Sequence, residues 1–443
     1  MTQEKTIAFF PEASYGAALN CVGIAQQLRS MGSRPVFICH PGFSDVFAEY
    51  GFPEYHLSDE ALGGKTDWNE FINRHQDAFK QSPYAQLESY VRPTWDAIVE
   101  TALAVEQPLR QLLNRLKPDA IVLDNVVMFP AIANAGVPWV RIVSCAETEI
   151  PDANVPPYLS GLSAEKSADW DAFMHEYAHV TAPAHKRFSA MMTECGLKPP
   201  PAPLFLGPSP HLNLLLAPDI IRYDRRKPLD PARFVYLNGC VRQEGEYQPP
   251  VFAAHNDGPL VLTSFGSLGA MDVSLVKQMI DVFAGLPYRF LVNVGQWRDE
   301  YTAVPDNVFV DGWFPQSSVV EKASLFIHHG GNNSFCEALY FGVPSLVMPY
   351  CWDGHDNARR AAETGVGRSL PRYDWQPADL AGAIEGLLGD TGMQQRLKAN
   401  ALQMQAHAGA HLAAEKILQV AKAKPDQAAA RKTTSRRGGE TNA

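Results

Sequence analysis

Long apolar runs are missing from this chain. Nothing in it nears the roughly 18 consecutive apolar residues that a membrane-crossing helix needs, and its amino terminus, MTQEKTIAFF, lacks the basic stretch and apolar core of an export signal. The expectation is no membrane span, no export and a cytoplasmic setting. Cysteine is sparse and dispersed, with seven residues at 21, 39, 145, 195, 240, 336 and 351, an odd number without a Cys-x-x-Cys pair. That pattern speaks against a disulfide framework or a structural zinc site. Positive charge is in deficit, 38 Lys and Arg against 48 Asp and Glu for a net charge of -10. A nucleic-acid partner is therefore not expected, because phosphate backbones are held by clustered cations. A local basic pocket stays compatible with the acidic total, and no internal sequence repeat is present.

What the chain does have is length and apolarity: 443 residues, 46% of them apolar and 19% charged, more than one core needs and enough for two. The most informative stretch runs from Asp311 to Leu370. Its short apolar run Leu325, Phe326 and Ile327 reads as a buried parallel strand. The run ends in His328, His329, Gly330 and Gly331, after which Asn332, Asn333 and Ser334 open a helix that stops at Gly342 and Pro344. Strand, glycine turn and helix in that order put a loop at the carboxyl edge of an open α/β sheet, where helix-start N–H groups can hold a diphosphate. Ser334 and Glu337 also fit a Ser-x-x-Glu capping box, a purely structural use of both. Capping does not account for His329, for the Trp313-Phe314-Pro315-Gln316 turn, or for Asp353 and Asn357 after the next strand.

Elsewhere the same alternation recurs. Thr6 to Phe10 reads as a strand, Leu19 to Met31 as a helix ended by Gly32, and Val36 to Cys39 as a second strand, a β-α-β unit that implies a parallel sheet. Further strands are expected at Ala120 to Leu123, Trp139 to Val143, Leu212 to Leu216 and Phe234 to Leu237. A second series is expected at Leu260 to Ser264, Tyr288 to Val294, Val308 to Val310 and Ser345 to Met348. Thr94 to Leu116 is expected to be a helix broken near Pro108, and Pro377 to Leu388 and Met393 to Leu418 to be helical. Between Ser58 and Trp95, and between Ala153 and Pro203, regular spacing fades. Aromatic residues such as Trp68, Phe71 and Trp170 are scattered there among polar ones. Gln248, Pro249 and Pro250 suit an interdomain linker. From about Ala421 the chain turns to Ala, Lys, Gln, Thr and Arg, a composition too poor in apolar surface to stay ordered.

With Trp313, Gln316, His329, Gly331, Asn333, Ser334, Glu337 and Asp353 in that order, the chain resembles the nucleotide-sugar-dependent glycosyltransferases of the plant secondary-product, macrolide and glucuronosyl superfamily (family 1, GT-B fold). The resemblance is specific over about 310–370 and looser over the whole chain. It implies an α/β protein of two facing Rossmann-like, doubly wound domains with an interdomain cleft. The acceptor-binding domain would span 1–240 and the nucleotide-sugar-binding domain 241–405. A helix over 406–420 would pack back on the first domain, before a disordered basic tail, 421–443. It also implies an inverting transfer from a UDP- or TDP-sugar to a small hydrophobic acceptor, by a monomer or homodimer, with the nucleotide sugar as co-substrate and no cofactor or metal.

Carried over by position, the resemblance implies that Trp313 stacks on the base with Gln316 beside it. His329, Gly331, Asn333 and Ser334 would grip the diphosphate, together with the Gly266-Ser267 turn of the second domain. Glu337 would hold the ribose hydroxyls and Asp353 would read the sugar. Two positions depart from the pattern. Gly354 stands where the family has the glutamine that completes the sugar reader, leaving His355 or Asp356 as substitutes. Ala17 stands where the family has the histidine that deprotonates the acceptor. Alanine takes no proton, so Asp124, at the end of its strand, and Glu12, in the turn, become the candidate bases. Tyr15, Trp68, Phe71 and Glu147 are the candidate acceptor contacts.

Two other readings remain open on sequence. One is a nucleotide-sugar-binding protein without catalysis, for which Ala17 is the evidence. The other is a zinc hydrolase, because His175, Glu176 and His179 form His-Glu-x-x-His and His185 falls at a third-ligand spacing. Ala182 and Pro183 break the longer form of that motif.

Overall fold

The computed structural model describes residues 4–40, 43–58, 68–255 and 257–422, with backbone only for Trp68, Asn69 and Ser267. The tail expected to be disordered therefore lies almost entirely outside the described residues.

Two parallel sheets carry the fold. The first has the order β3-β2-β1-β4-β5-β6-β7, from β1 (Thr6–Pro11), β2 (Arg34–Cys39), β3 (Glu54–His56), β4 (Ala120–Asp124), β5 (Trp139–Val143), β6 (Leu212–Leu216) and β7 (Phe234–Leu237). The second has the order β10-β9-β8-β11-β12-β13, from β8 (Leu260–Ser264), β9 (Arg289–Asn293), β10 (Val308–Asp311), β11 (Leu325–His328), β12 (Ser345–Val347) and β13 (Gly367–Ser369). Strands such as β4 and β11 are buried at every residue, as parallel strands covered on both faces must be, which is why they read as unbroken apolar runs.

Each sheet reverses its order once, between β1 and β4 and between β8 and β11. Ligands of open α/β sheets bind outside the carboxyl ends of strands at such points. Register pairs Pro11 with Asp124 and His328 with Ser264. Glu12, Asp124, Ser264 and His329 thus all fall at the two switch points, for reasons of topology alone.

Several elements differ from expectation. The first helix, Tyr15–Ser30, begins four residues before Leu19, because Ser14 caps it by accepting from Ala17 N. Ala17 is thereby buried in its first turn. The helix Arg92–Leu116 runs unbroken through Pro108, since burial of Val105, Leu109, Leu112 and Leu113 outweighs one lost backbone hydrogen bond. A 27-residue helix, Ala168–Glu194, occupies the region where spacing faded and packs against Arg92–Leu116. The helical stretch expected over Met393 to Leu418 consists of two helices, Thr391–Ala406 and Gly409–Lys422. The chain crosses there to the first sheet, so closely that a Cβ on Gly409 would lie 2.5 Å from the Gly239 carbonyl oxygen. Beyond the crossing, Ala410, Ala413, Ala414 and Ile417 pack with Val22, Ala25, Leu214 and Leu237. Among the described residues no helix is long and apolar enough to cross a membrane.

Candidate functional site

The second-domain half of the cleft is built around His329. Gly330 turns the chain at φ +90°, and any Cβ there would lie 2.6 Å from the Gly354 carbonyl oxygen. The imidazole that follows β11 lies over two more glycines. A Cβ on Gly266 would come within 3.2 Å of its Cε1, and one on Gly331 within 2.5 Å of its Nε2. Tyr350 stacks on it at 5.3 Å between ring centroids. Burial, reinforced by the Arg372 charge, pushes the pKa of His329 down to about 4, so the ring is neutral at pH 7. Its Nδ1 is buried without a hydrogen-bond partner among the described residues. This is a dipolar hydrogen-bonding group, not the charged one that phosphate binding by a histidine suggests.

The helix Asn332–Phe341 starts beside it with Gly331 as N-cap and no side-chain cap. The Ser334–Glu337 capping box is not formed, because Ser334 lies inside the first turn. Ser334 accepts from Gln316 Nε2 at 3.1 Å, and Gln316 Oε1 accepts from Ser264 Oγ at 3.3 Å. Glu337 departs from expectation more strongly. It is 1% exposed, Arg242 from the interdomain connection pairs with its Oε1 at 2.5 Å, and Gln316 Nε2 donates to its Oε2 at 2.6 Å. Asn333 Nδ2 donates to it as well, at 3.2 Å. A carboxylate with both oxygens engaged by buried donors holds the two segments together; it is not presented to a ribose in this structure. Trp313, by contrast, is 52% exposed, with its indole 6.3 Å from the ring of Tyr15, itself 42% exposed, in the other domain.

The loop after β12 bridges the domains. Asp353 Oδ2 accepts from Ala146 N at 3.1 Å, and burial followed by repulsion from Asp356 raises its pKa to about 8. Asp356 accepts from Thr148 Oγ1, Leu159 N and Gly161 N at 2.6, 2.8 and 2.8 Å. His355 turns to the first domain, with Nε2 3.2 Å from Gln86 Oε1, which leaves neither residue as a free substitute sugar reader. Gly354 is required by packing, since a Cβ there would sit 2.5 Å from the His329 carbonyl oxygen. Gly354→Gln, which restores the family residue, is accordingly expected to cost about 1–3 kcal/mol of stability by overpacking, measured by denaturant unfolding. Parental stability would mean that the two turns have room to part. Asn332 completes the bridge, donating from Nδ2 to the carbonyls of Ser144, Cys145 and Leu216 at 3.0, 3.2 and 2.9 Å.

The first-domain half is acidic. Asp124 is 2% exposed and its oxygens receive Ser144 Oγ at 2.6 Å and Cys21 Sγ at 3.5 Å. Burial raises its pKa well above the usual carboxylate range. Glu12 is half-buried, donates its N–H to the Asp124 carbonyl at 2.8 Å and receives Ser14 Oγ at 2.8 Å. Its pKa is raised by burial and then by Glu149. Glu147 is not at this site. Arg225 Nη1, the Tyr236 hydroxyl and Tyr223 N satisfy it at 3.0, 2.9 and 3.1 Å. Its neighbour Glu149, which pairs with Arg141, is the residue whose charge bears on Glu12, Asp124 and Asp353. Sequence reasoning chose the wrong glutamate of the pair, and nothing in SCAETE distinguishes them.

Beside Asp353, Trp352 takes a left-handed φ of 55° and packs its ring 6.1 Å from Trp95 and 6.2 Å from Tyr158. Phe71 lies against His75, 4.3 Å away, in a cluster with Phe79, Tyr90, Tyr350 and Cys351. The side chains of Trp68 and Ser267 lie outside the described residues. His175 and His179 point to solvent, whereas His185 is buried with Nε2 3.1 Å from the Leu204 carbonyl. The three histidines therefore do not converge. The cluster of metal-binding residue types among the described residues is Cys39, Glu54 and His56, far along the first sheet.

A family model described as "Erythromycin biosynthesis protein CIII-like, C-terminal domain" matches residues 284–422. The NDP-glycosyltransferase YjiC of Bacillus subtilis is 25% identical over 326 residues, 72% of this chain and 77% of that protein. The oleandomycin glycosyltransferase of Streptomyces antibioticus is 22% identical over 428 residues, 94% of this chain and 92% of that one. Among solved structures, the glycotransferase of kitacinnamycin superposes with a TM-score of 0.69 at 22% identity, covering 95% of this chain and 100% of that one. The glycosyltransferase VinC in complex with dTDP superposes with a TM-score of 0.66 at 15% identity, covering 94% and 99%.

Proposed function

We propose that the chain is a family 1 glycosyltransferase of the natural-product type, as its family match, its relatives and its two-sheet fold support, and that it moves a sugar from a uridine or thymidine diphosphate donor to a small hydrophobic acceptor, with inversion at the anomeric carbon. The observation that carries this is the His329 corner: an orphaned buried Nδ1, three closely packed glycines and a helix start without a side-chain cap. With its proton on Nδ1, the neutral imidazole donates to a phosphate oxygen, and the first-turn amides do the same. Trp313 offers an exposed indole for the base, and VinC, which shares the fold, was solved with dTDP.

The acceptor oxygen attacks the anomeric carbon as the bond to the diphosphate breaks, and the diphosphate leaves with the electron pair. The acceptor's proton passes to Glu12, with Asp124 behind it. Half-buried Trp352 and Tyr158, with Trp95 beneath, supply an apolar wall for the acceptor next to Asp353. A cytoplasmic location, where nucleotide sugars are available, belongs to the same reading.

Calorimetric titration with UDP, TDP, GDP and ADP tests the donor. One of the pyrimidine diphosphates is expected to bind best, with its nucleoside much weaker. Transfer to a panel of phenols and hydroxylated polyketides, with the anomeric proton coupling read by NMR, tests acceptor and stereochemistry. Failure of both pyrimidine diphosphates to bind at millimolar concentration would end the proposal.

A further inference from the structure

Arg372, in the loop after β13, is 4% exposed. The other buried arginines of the described residues are ion-paired, Arg141 with Glu149 and Arg242 with Glu244 and Glu337. Arg372 has no carboxylate partner among the described residues. Its Nη2 donates to the Gly269 carbonyl at 2.9 Å and its Nε to the Tyr373 hydroxyl at 3.3 Å, while Nη1 is buried without a partner. Aromatic rings wall it in, with Cζ 4.5 Å from the centroid of Phe265, 4.9 Å from Tyr350 and 5.6 Å from Tyr373. Ring faces attract a cation but do not neutralise it. Asp272 reaches it only through the Tyr373 hydroxyl, and a dry charge without a direct carboxylate partner is costly unless an anion comes to it.

Its neighbours say which anion. Gly269 closes the short Gly266–Gly269 turn, and Gly266 lies against His329. Tyr350 has Arg372 over its ring, stacks on His329, and donates its hydroxyl to the Phe265 carbonyl at 3.4 Å. Arg372 therefore stands directly behind both walls of the proposed diphosphate corner. With His329 neutral, that corner holds dipoles at its surface and a formal charge one layer back.

We propose that Arg372 is the positive charge of the diphosphate site, a positioning residue that attracts the donor's phosphates and fixes, through Gly269 and Tyr350, the turn and the imidazole that touch them. The inference rests on the donor reading above but adds a residue to it. No sequence pattern marks Arg372, because its ring neighbours come from three separate segments.

The test compares UDP and TDP with uridine and thymidine, by calorimetry, on wild type, Arg372→Met and Arg372→Gln. Methionine keeps the apolar volume among the rings. Glutamine removes the charge and keeps an N–H donor for the Gly269 carbonyl, while giving up the Nε bond to Tyr373. Both variants are expected to lose at least about tenfold in diphosphate affinity and to bind the nucleoside within about twofold of wild type. Equal losses for nucleoside and diphosphate would reduce Arg372 to a structural role, and unchanged diphosphate affinity would remove it from the site. Should both neutral variants unfold, Arg372→Lys decides. A compact ammonium cannot keep both the Gly269 bond and the ring contacts, so diphosphate affinity equal to wild type would refute the positioning role, and a selective loss would support it. If wild type itself binds neither UDP nor TDP, the donor reading fails first, and the result is distinguishable from all of these.

Discussion

A His329→Ala variant is expected to keep its fold and lose about 10²- to 10³-fold in kcat, the usual consequence of removing one preorganised donor from a developing anion. The fold should survive because the imidazole donates no hydrogen bond from Nδ1 and the strand before it, β11, is buried through Leu325, Phe326 and Ile327 independently of the ring. The rate should fall because leaving-group charge appears only as the glycosidic bond breaks, so the interaction is worth most in the transition state. Donor KM is expected to change less than kcat for the same reason. His329→Gln, which can still donate a hydrogen bond, should recover part of the loss. A lysine would not, since the corner is closed by glycines whose added Cβ atoms would already meet the ring. Steady-state kinetics with thermal unfolding measured alongside checks all three. An alanine variant at full activity would take His329 out of the mechanism.

Which parts of this were legible in the sequence follows from how each part is encoded. Strands buried on both faces need contiguous apolar residues, so β1, β4, β8 and β11 could be read directly. The glycine turn after β11 is equally local, since close backbone approach admits nothing larger. The helix Ala168–Glu194 was missed although Trp170, Phe173, Val180, Ala184, Phe188 and Met191 keep helical spacing. Pro183 and the exposed histidines on its outer face obscured a single buried stripe. Side-chain partnerships between distant segments were not legible at all. Arg242 taking up Glu337, Gln86 meeting His355, and Glu149 replacing Glu147 at the cleft depend on which backbone segments the two sheets bring together. The family pattern led to an exposed indole at Trp313 and to a glycine-lined corner at His329, whereas for Glu337 and Gly354 it implied a role the packing withholds.

Glu12→Gln is expected to abolish most turnover, about 10²- to 10⁴-fold for a lost general base, and at the same time to stabilise the protein. The proton has to go somewhere with Ala17 in place of a base, and of the two candidates the geometry favours Glu12. Asp124 is sealed, with Ser144 and Cys21 donating to its two oxygens, so Asp124→Asn should cost much less. Wild-type kcat/KM should rise with pH through a pKa above the ordinary glutamate value of 4.5, because burial and Glu149 raise Glu12 and only its deprotonated form accepts. Glu12→Gln should lose that rising limb. The stability effect has the opposite sense. A carboxyl whose pKa is raised on folding favours the folded state in its protonated form, so ionising it costs stability as pH climbs past the unfolded value, about 1.4 kcal/mol for every tenfold gain in proton affinity on folding. Asp353, raised to about 8 in part by Glu12, follows the same rule, and removing the Glu12 charge relieves it too. The gain in thermal unfolding midpoint for Glu12→Gln over wild type should therefore be small at pH 5 and larger at pH 8. A gain independent of pH would mean that the four carboxylates at the cleft do not repel one another. A wild-type pH limb that survives in Glu12→Gln but disappears in Asp124→Asn would move the base one strand over.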